Sequence, residues 1–187
     1  ELKGKREVFV PYNAYRLHEE GVRPDDVIRA PRGALSQMIS AHALQRGHMV
    51  ATMNVPQAET SSYGVLDVIN TEGRIAHARG LVEKPNPEQA PSTNAIVGRY
   101  ILEPSIFDRL ADLRPGSGGE LQLTDAISAD LASTDVTGFR FEGERFDCGS
   151  IQGFVQATVA FAMDRPELAG DLSALLGRFT APMRHAA

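Results

Sequence analysis

Apolar positions recur along the chain at two spacings, and the alternation between them predicts the elements. Ala34, Leu35, Met38, Ile39, Ala41 and Ala43 fall at helical intervals, and Gly47 supplies a stop. HMVATMNVP then reads as a buried strand closed by Pro56, and YGVLDVIN as a second strand. Gly73 marks a turn before IAHARGLVEKP, so these last two segments are predicted to pair as a hairpin. After the proline-rich loop NPEQAPST, NAIVGRYILEP is another strand. Pro104 and Ser105 open a helix carrying Ile106, Phe107, Leu110 and Leu113. A second helix carries Leu121, Leu123, Ala126, Ile127 and Leu131, with Thr124 as its expected cap. VTGFRFEGERFD predicts two short strands around a turn. IQGFVQATVAFAMDRP is a long amphipathic helix, and the tail from Glu167 to Phe179 is helical. Near the N-terminus, VFVPY (Val8 to Tyr12) is a short strand weakened by Pro11. Strands alternating with helices define an α/β class, and the consecutive strands at 48–103 give the sheet a mixed, partly antiparallel character.

The 187 residues suit one domain of ordinary size, with 42% hydrophobic and 23% charged residues. A net charge of −5 argues against a nucleic-acid backbone as partner. It leaves nucleotides and sugar phosphates open, because a few local cations suffice for them. The single cysteine, Cys148, excludes an intrachain disulfide and reads as a small buried hydrophobe. No apolar run approaches the ~18 residues of a membrane span, and the charged start ELKGKREVF has no signal-peptide pattern. A cytoplasmic protein is expected.

Few residues carry chemistry by spacing alone. The glycine cluster PGSGGE (Pro115 to Glu120) lies between two helices rather than after a strand, so it is not a Walker or Rossmann phosphate loop. Asp25 and Asp26 read as solvated turn residues or as ligands for a hard cation such as magnesium. Asp147, in RFDCGS, reads as a helix-start residue or as a second magnesium ligand. The five histidines have no metal-ligand spacing, and no G-x-S-x-G elbow occurs. In GLVEKPNP, Glu83 and Lys84 close a strand-like run, which composition alone would make a solvated strand end. Pro85 ends regular pairing and biases Lys84 toward extended geometry; a local twist there could aim both side chains at one ligand.

YGVLDV, LVEKPNPEQAPSTNAIVGRYIL, PGSGGELQLTDAI and FEGERFDCGSIQGFVQATVAFAM, in this order, resemble the bacterial UTP–glucose-1-phosphate uridylyltransferases over roughly Pro24 to Leu168. Any one piece would be weak; the combination is specific. The resemblance implies a nucleotide-diphospho-sugar transferase-like, Rossmann-like mixed sheet flanked by helices, incomplete at the N-terminus. It implies UTP plus glucose 1-phosphate giving UDP-glucose and pyrophosphate, by in-line attack of the sugar phosphate on the nucleotide α-phosphorus with Mg2+. Lys84 matches the catalytic lysine that holds the sugar phosphate, and Glu83 the acid that takes hydrogen bonds from hexose hydroxyls. Gly64 matches a glycine whose backbone approaches the sugar, and Val97 lies on the strand lining that pocket. Asp147 and Asp25 match the magnesium-binding aspartates, although VR replaces the family's apolar pair in the stretch that holds Asp25. Homo-oligomers are implied, and the two C-terminal amphipathic helices are the expected contact. A thymidylyltransferase is the close relative to separate from this reading; a non-catalytic sugar-phosphate-binding or oligomerisation fragment is the alternative from another class.

The family's opening G-x-G-T-R-x-x-P-x-T-K signature is absent from this chain, and residues 1–22 match nothing expected there. The expected organisation is an unmatched segment 1–22 followed by the sugar-binding and C-terminal portion, 23–187. Exposed apolar surface and no UDP-glucose synthesis by the chain on its own are expected from this.

Overall fold

A computed structural model of the protein describes residues 26–114 and 121–180. Asp25, the segment Val8–Tyr12 and the glycine cluster 115–120 lie outside the described residues. Contacts divide the chain into two units, residues 32–142 in one and residues 26–31 with 143–180 in the other.

The larger unit is built on five strands: β2 (His48–Asn54), β3 (Gly64–Glu72), β4 (Ile75–Glu83), β5 (Asn94–Ile101) and β6 (Val136–Arg140). They close into a barrel in the order β2-β5-β3-β4-β6. Four seams are antiparallel and the β2–β6 seam is parallel, so the mixed character expected from the sequence is present. The predicted hairpin forms between β3 and β4, with Glu72 opposite Ile75. Gly73 takes a φ of 61° at the first of the two loop positions, where a type II′ turn places glycine.

Helices α1 (Ala34–His42), α2 (Ile106–Asp112) and α3 (Leu123–Asp130) belong to the same unit. α2 and α3 pack on each other, and α3 packs on β4. The core joins Val50, Leu66, Leu81, Ile96 and Val136 from the strands to Ile106 and Ile127 from the helices. Of the apolar residues at the head of α2, Ile106 is buried while Phe107 is 70% exposed. Successive helical residues point about 100° apart, so one of the pair must leave the core face. Leu44, 86% exposed, also lies on this unit's surface.

Among the described residues, every buried side-chain nitrogen and oxygen is paired. Gln37, buried on α1, donates to the carbonyls of Arg32 and Glu142 and accepts from the amide of Glu142 and from Arg74. Asp130, at the last position of α3, has no exposure at all. One of its oxygens accepts from His48 Nε2 at 3.0 Å and Ser105 Oγ at 2.5 Å, and the other from Arg109 Nε at 3.0 Å and Ser133 Oγ at 2.8 Å. The amide of Glu103 donates to His48 Nδ1, which assigns the ring proton to Nε2. The Ser105 hydroxyl above all, helped by Ser133, Arg109 and His48 and opposed by burial, holds the Asp130 carboxyl well below the usual carboxylate range.

The smaller unit is a two-stranded antiparallel ribbon, β1 (Asp26–Arg29) and β7 (Glu144–Asp147), with helices α4 (Ile151–Met163) and α5 (Pro166–Thr180). The two short strands read in VTGFRFEGERFD therefore form but do not pair with each other: β6 joins the barrel and β7 joins β1. Val27, Phe146, Cys148 and Ala157 make a small core, with Phe154 and Phe161 packed against it. Cys148 is buried, as its apolar reading expected. Among the described residues no helix is long and apolar enough to cross a membrane.

Candidate substrate-binding site

The far end of the β3–β4 hairpin brings the sequence-predicted residues Gly64, Glu83 and Lys84 together. Gly64 opens β3 and Glu83 closes β4, and the register sets them directly opposite. The carboxylate of Glu83 turns over Gly64. A Cβ built on that glycine would lie 3.0 Å from Glu83 Oε2, 2.9 Å from Thr124 Cγ2 and 3.4 Å from Ile96 Cδ1. Glycine is required here for space, not for a special dihedral angle.

Thr124 was expected to cap α3. It is the second helical residue instead: Gln122 occupies the capping position, without a side-chain bond, and Thr124 Oγ1 donates to Glu83 Oε2 at 3.1 Å. The hydroxyl therefore serves the strand end rather than the helix. Thr124 is buried and Glu83 half-buried. Among the described residues Thr124 is the one side-chain donor to this carboxylate, so its remaining lone pairs are available to hydroxyl donors of a ligand.

Lys84 departs from the extended geometry that Pro85 favours. Its φ is 46°, the only positive value at a non-glycine among the described residues. The left-handed region costs a non-glycine residue roughly 1–2 kcal/mol. The conformation is held by the Lys84 amide, which donates to the Tyr63 carbonyl at 2.9 Å, and by burial of Pro85 behind it. The strand's alternation stops at Glu83, and the Lys84 side chain is exposed. Strained non-glycine residues of this kind cluster at ligand clamps. A half-buried acid followed by an exposed ammonium on a turned backbone suits a ligand with hydroxyls beside a phosphate.

Val97 lies close by in sequence on β5 but within an irregularity. Val50 pairs with Tyr100 and Thr52 with Ile96, so two steps along β2 face four along β5. Gly98 turns to a φ of 62° inside that bulge, and the carbonyl of Val97 accepts from Arg99 Nη1 at 3.2 Å. Val97 is buried, and the β5 side chain that reaches Gly64 is Ile96, one residue earlier. The apolar run Ala95 to Val97 marked a buried strand without singling out Ile96, and Thr124 was marked only by its place near a helix start.

In the smaller unit, Asp147 ends β7 with Asp26 opposite it in register. Asp147 Oδ1 accepts from the amide of Gly149 at 3.1 Å, and its carbonyl accepts from Ser150 Oγ at 3.0 Å. Ser150 in turn caps α4 by accepting from the Gly153 amide at 3.0 Å. Ser150, not Asp147, is thus the capping residue, and the exposed Asp147 carboxylate keeps its second oxygen outside this turn. Among the described residues no three His, Cys, Asp or Glu side chains gather as a metal cage. Magnesium does not demand one, since it commonly takes one or two carboxylates with waters and substrate phosphates. Asp147 fits that requirement as one hard oxygen ligand.

The mixed sheet with its flanking helices is the fold of the nucleotide-diphospho-sugar transferases. The Nucleotidyl transferase family profile matches residues 14–163, and the chain belongs to that family. It is 42% identical over 127 residues to the UTP–glucose-1-phosphate uridylyltransferase of Komagataeibacter xylinus, covering 68% of this chain and 45% of that protein. It is 39% identical over 153 residues to the enzyme of the same name from Staphylococcus epidermidis, covering 81% of this chain and 53% of that protein. A crystal structure of UDP-glucose pyrophosphorylase complexed with UDP-glucose superposes with a TM-score of 0.70 at 36% identity, over 75% of this chain and 54% of that one. The chain spans about half the length of the curated relatives it matches.

Proposed function

We propose that the chain carries the sugar-phosphate side of a uridylyl transfer reaction, in which UTP and glucose 1-phosphate give UDP-glucose and pyrophosphate. The observation that carries this reading is the hairpin end where Thr124 holds the Glu83 carboxylate over Gly64 and Lys84 turns out at a φ of 46°. In this reading Glu83 accepts hydrogen bonds from the hexose hydroxyls and the Lys84 ammonium holds the phosphate. Gly64 leaves the room that the acid and the sugar need, and Val97 supports the pocket wall from β5. The work of these residues is positioning and charge balance, which is most of what in-line phosphoryl transfer asks of a protein.

Asp147, with Asp25 as the second carboxylate, would hold Mg2+. That ion would offset the negative charge of the phosphate oxygens. Glucose 1-phosphate, UTP and UDP-glucose are the partners this reading requires, and the protein is taken to be cytoplasmic and to associate with itself. The names of the relatives support the uridylyl branch, and the absence of a long apolar helix among the described residues is consistent with the cytoplasm.

Titration calorimetry of the purified chain with glucose 1-phosphate and Mg2+ tests the reading. Binding is expected, and Lys84→Ala should weaken it by one to two orders of magnitude, since charge-assisted hydrogen bonds contribute about 1.5–3 kcal/mol. Lys5→Ala should leave it unchanged. Absence of binding, or equal effects of the two substitutions, would overturn the assignment. A parallel assay for UDP-glucose formation from UTP shows whether this chain alone completes the reaction.

A further inference from the structure

A cleft of about 580 Å3 opens at the end of the barrel where β2 begins. That volume is in the range of small-molecule sites. The hairpin site lies at the other end: Met53, near the close of β2, pairs with Ala95, and Ala95 pairs with Val65 beside Gly64. From His48 to Met53 the strand runs roughly 17 Å. His42 at the close of α1, Arg46 before β2, Glu103 after β5, and Ser133 and Asp135 before β6 line the cleft. His48 anchors both acids. Its amide donates to the Asp135 carbonyl at 2.8 Å, and its Nδ1 accepts from the Glu103 amide at 3.1 Å. The buried His42 donates through Nε2 to the Gly47 carbonyl at 2.9 Å, because a carbonyl only accepts. Ser133 Oγ is already bonded to Asp130. The charged groups are the ones left over. Among the described residues, the side chains of Arg46 and Asp135 make no hydrogen bond or ion pair, and the one ionic neighbour of Glu103 is His42 Nε2 at 3.9 Å.

We propose that this cleft binds a free basic α-amino acid, represented by L-lysine. Its two ammonium groups lie on Glu103 and Asp135, and its carboxylate lies on Arg46. The charges of ligand and cleft are then complementary one for one: two cations and an anion meet two carboxylates and a guanidinium. The helices add to the same field. α1 and α3 both finish at this end of the barrel, so their negative dipole ends favour the ammonium groups. α2 begins here with its positive end, but its first amides are taken by the carbonyls of Glu103, Pro104 and Ser105. Arg46 is thus the permanent cation of the cleft and the group that reads an acid. A simple anion would meet the two carboxylates, and a simple diamine would leave Arg46 unanswered. The anchoring of both acids through His48 means that little order has to be imposed when the ligand arrives. This inference does not rest on the sugar-phosphate reading.

Chemical-shift titration of the isotope-labelled full chain with L-lysine tests it. Saturable shifts are expected at the amides of Arg46, Glu103 and Asp135, with Gly64 and Lys84 unmoved, and a dissociation constant of about 1 mM. Glu103→Gln, Asp135→Asn and Arg46→Gln should each weaken binding by about three- to tenfold, as one charge pair in a solvent-open cleft is lost. Cadaverine, which is lysine without its carboxylate, should bind the starting protein more weakly than lysine by a similar factor. That difference should vanish in Arg46→Gln, where the group that reads the carboxylate is gone. Equal binding of lysine and cadaverine by the starting protein, or a difference that survives Arg46→Gln, would overturn the assignment. So would the absence of a saturable shift, shifts confined to Gly64 and Lys84, or D-glucose moving the same three amides as strongly as lysine does.

Discussion

One short helix, α3, carries a polar residue to each of two clusters that differ in kind. At its end, Asp130 is wholly buried and its two oxygens take four donors. Near its start, Thr124 gives a single hydrogen bond to Glu83, which is half-buried beside an exposed and strained Lys84. The first cluster has no capacity left for a ligand; saturation of a buried charge ties β2, α2 and α3 together and does nothing else. The second has spare acceptors, an exposed cation and a backbone held away from its relaxed state. Hydrogen-bond saturation separates a structural network from a binding site more cleanly than the presence of charged residues does.

The largest effect that would test this division is at Asp130. Asp130→Asn swaps an acceptor for a donor beside His48 Nε2–H, two hydroxyls and a guanidinium. Breaking a buried charged network in this way costs about 3–5 kcal/mol, read as a fall in the denaturation midpoint. Wherever the variant remains folded, glucose 1-phosphate affinity should stay the same; a selective loss of affinity would break the comparison. The carboxyl also sets an acid limb. Its folded pKa lies below the unfolded one, so its stability is fully present above the ordinary carboxylate value of ~3.9 and is lost as pH falls from there toward the folded value. A stability–pH profile should show that limb, and it should flatten in Asp130→Asn.

Next in size is Lys84→Gly, which sharpens the contrast because its two readouts move in opposite directions. Glycine accepts a φ of 46° without penalty, so relief of strain and the flexibility it adds to the unfolded chain compete. Stability should rise, by up to about 1 kcal/mol. Affinity for glucose 1-phosphate should fall by roughly ten- to a hundredfold. A lysine present only as a solvated strand end would give the first change without the second.

How much of this was legible in the chain differs between the two clusters. The strand ending at Glu83, the hairpin at Gly73 and the helices 34–42 and 151–163 followed from periodicity and turn residues, which are local. The resemblance pointed to Glu83, Lys84 and Gly64, and the register of one hairpin brings them together. The Asp130 network was invisible because its members come from β2, α2, α3 and the turn after it, and none has a local pattern. Thr124 was misread as a cap because a threonine near a helix start usually finds an amide nearby; a carboxylate 41 residues earlier in the chain won instead. Closure of the five strands into a barrel depends on the parallel β2–β6 pairing, a long-range contact that period-2 alternation does not encode.

Gly64→Ala comes third. The added methyl would stand 2.9 Å from Thr124 Cγ2 and 3.0 Å from Glu83 Oε2, closer than carbon tolerates. Thr124 is buried and cannot retreat, so the Glu83 carboxylate is the group that moves. Overpacking of this kind costs about 1–3 kcal/mol. The informative readout is affinity, which should fall further than in Gly80→Ala, where the nearest atom is 3.6 Å away. Equal losses at both glycines would mean that the approach at Gly64 is packing alone.

The smallest predicted change is at Thr124, and it asks whether the hydroxyl positions the acid or merely fills space. Thr124→Val keeps the shape and removes the donor, leaving Glu83 Oε2 without its protein partner. A neutral donor to a charged acceptor contributes about 1–2 kcal/mol, so glucose 1-phosphate affinity should drop by roughly five- to thirtyfold. Thr124→Ser keeps the donor and loses a methyl, and it should recover most of that affinity while costing more stability than valine does. The crossing of the two orders is what distinguishes positioning from packing: valine better for stability, serine better for binding. If serine and valine rank the same way in both measurements, the bond at 3.1 Å holds the fold and not the acid's aim, and the two ends of α3 are alike after all.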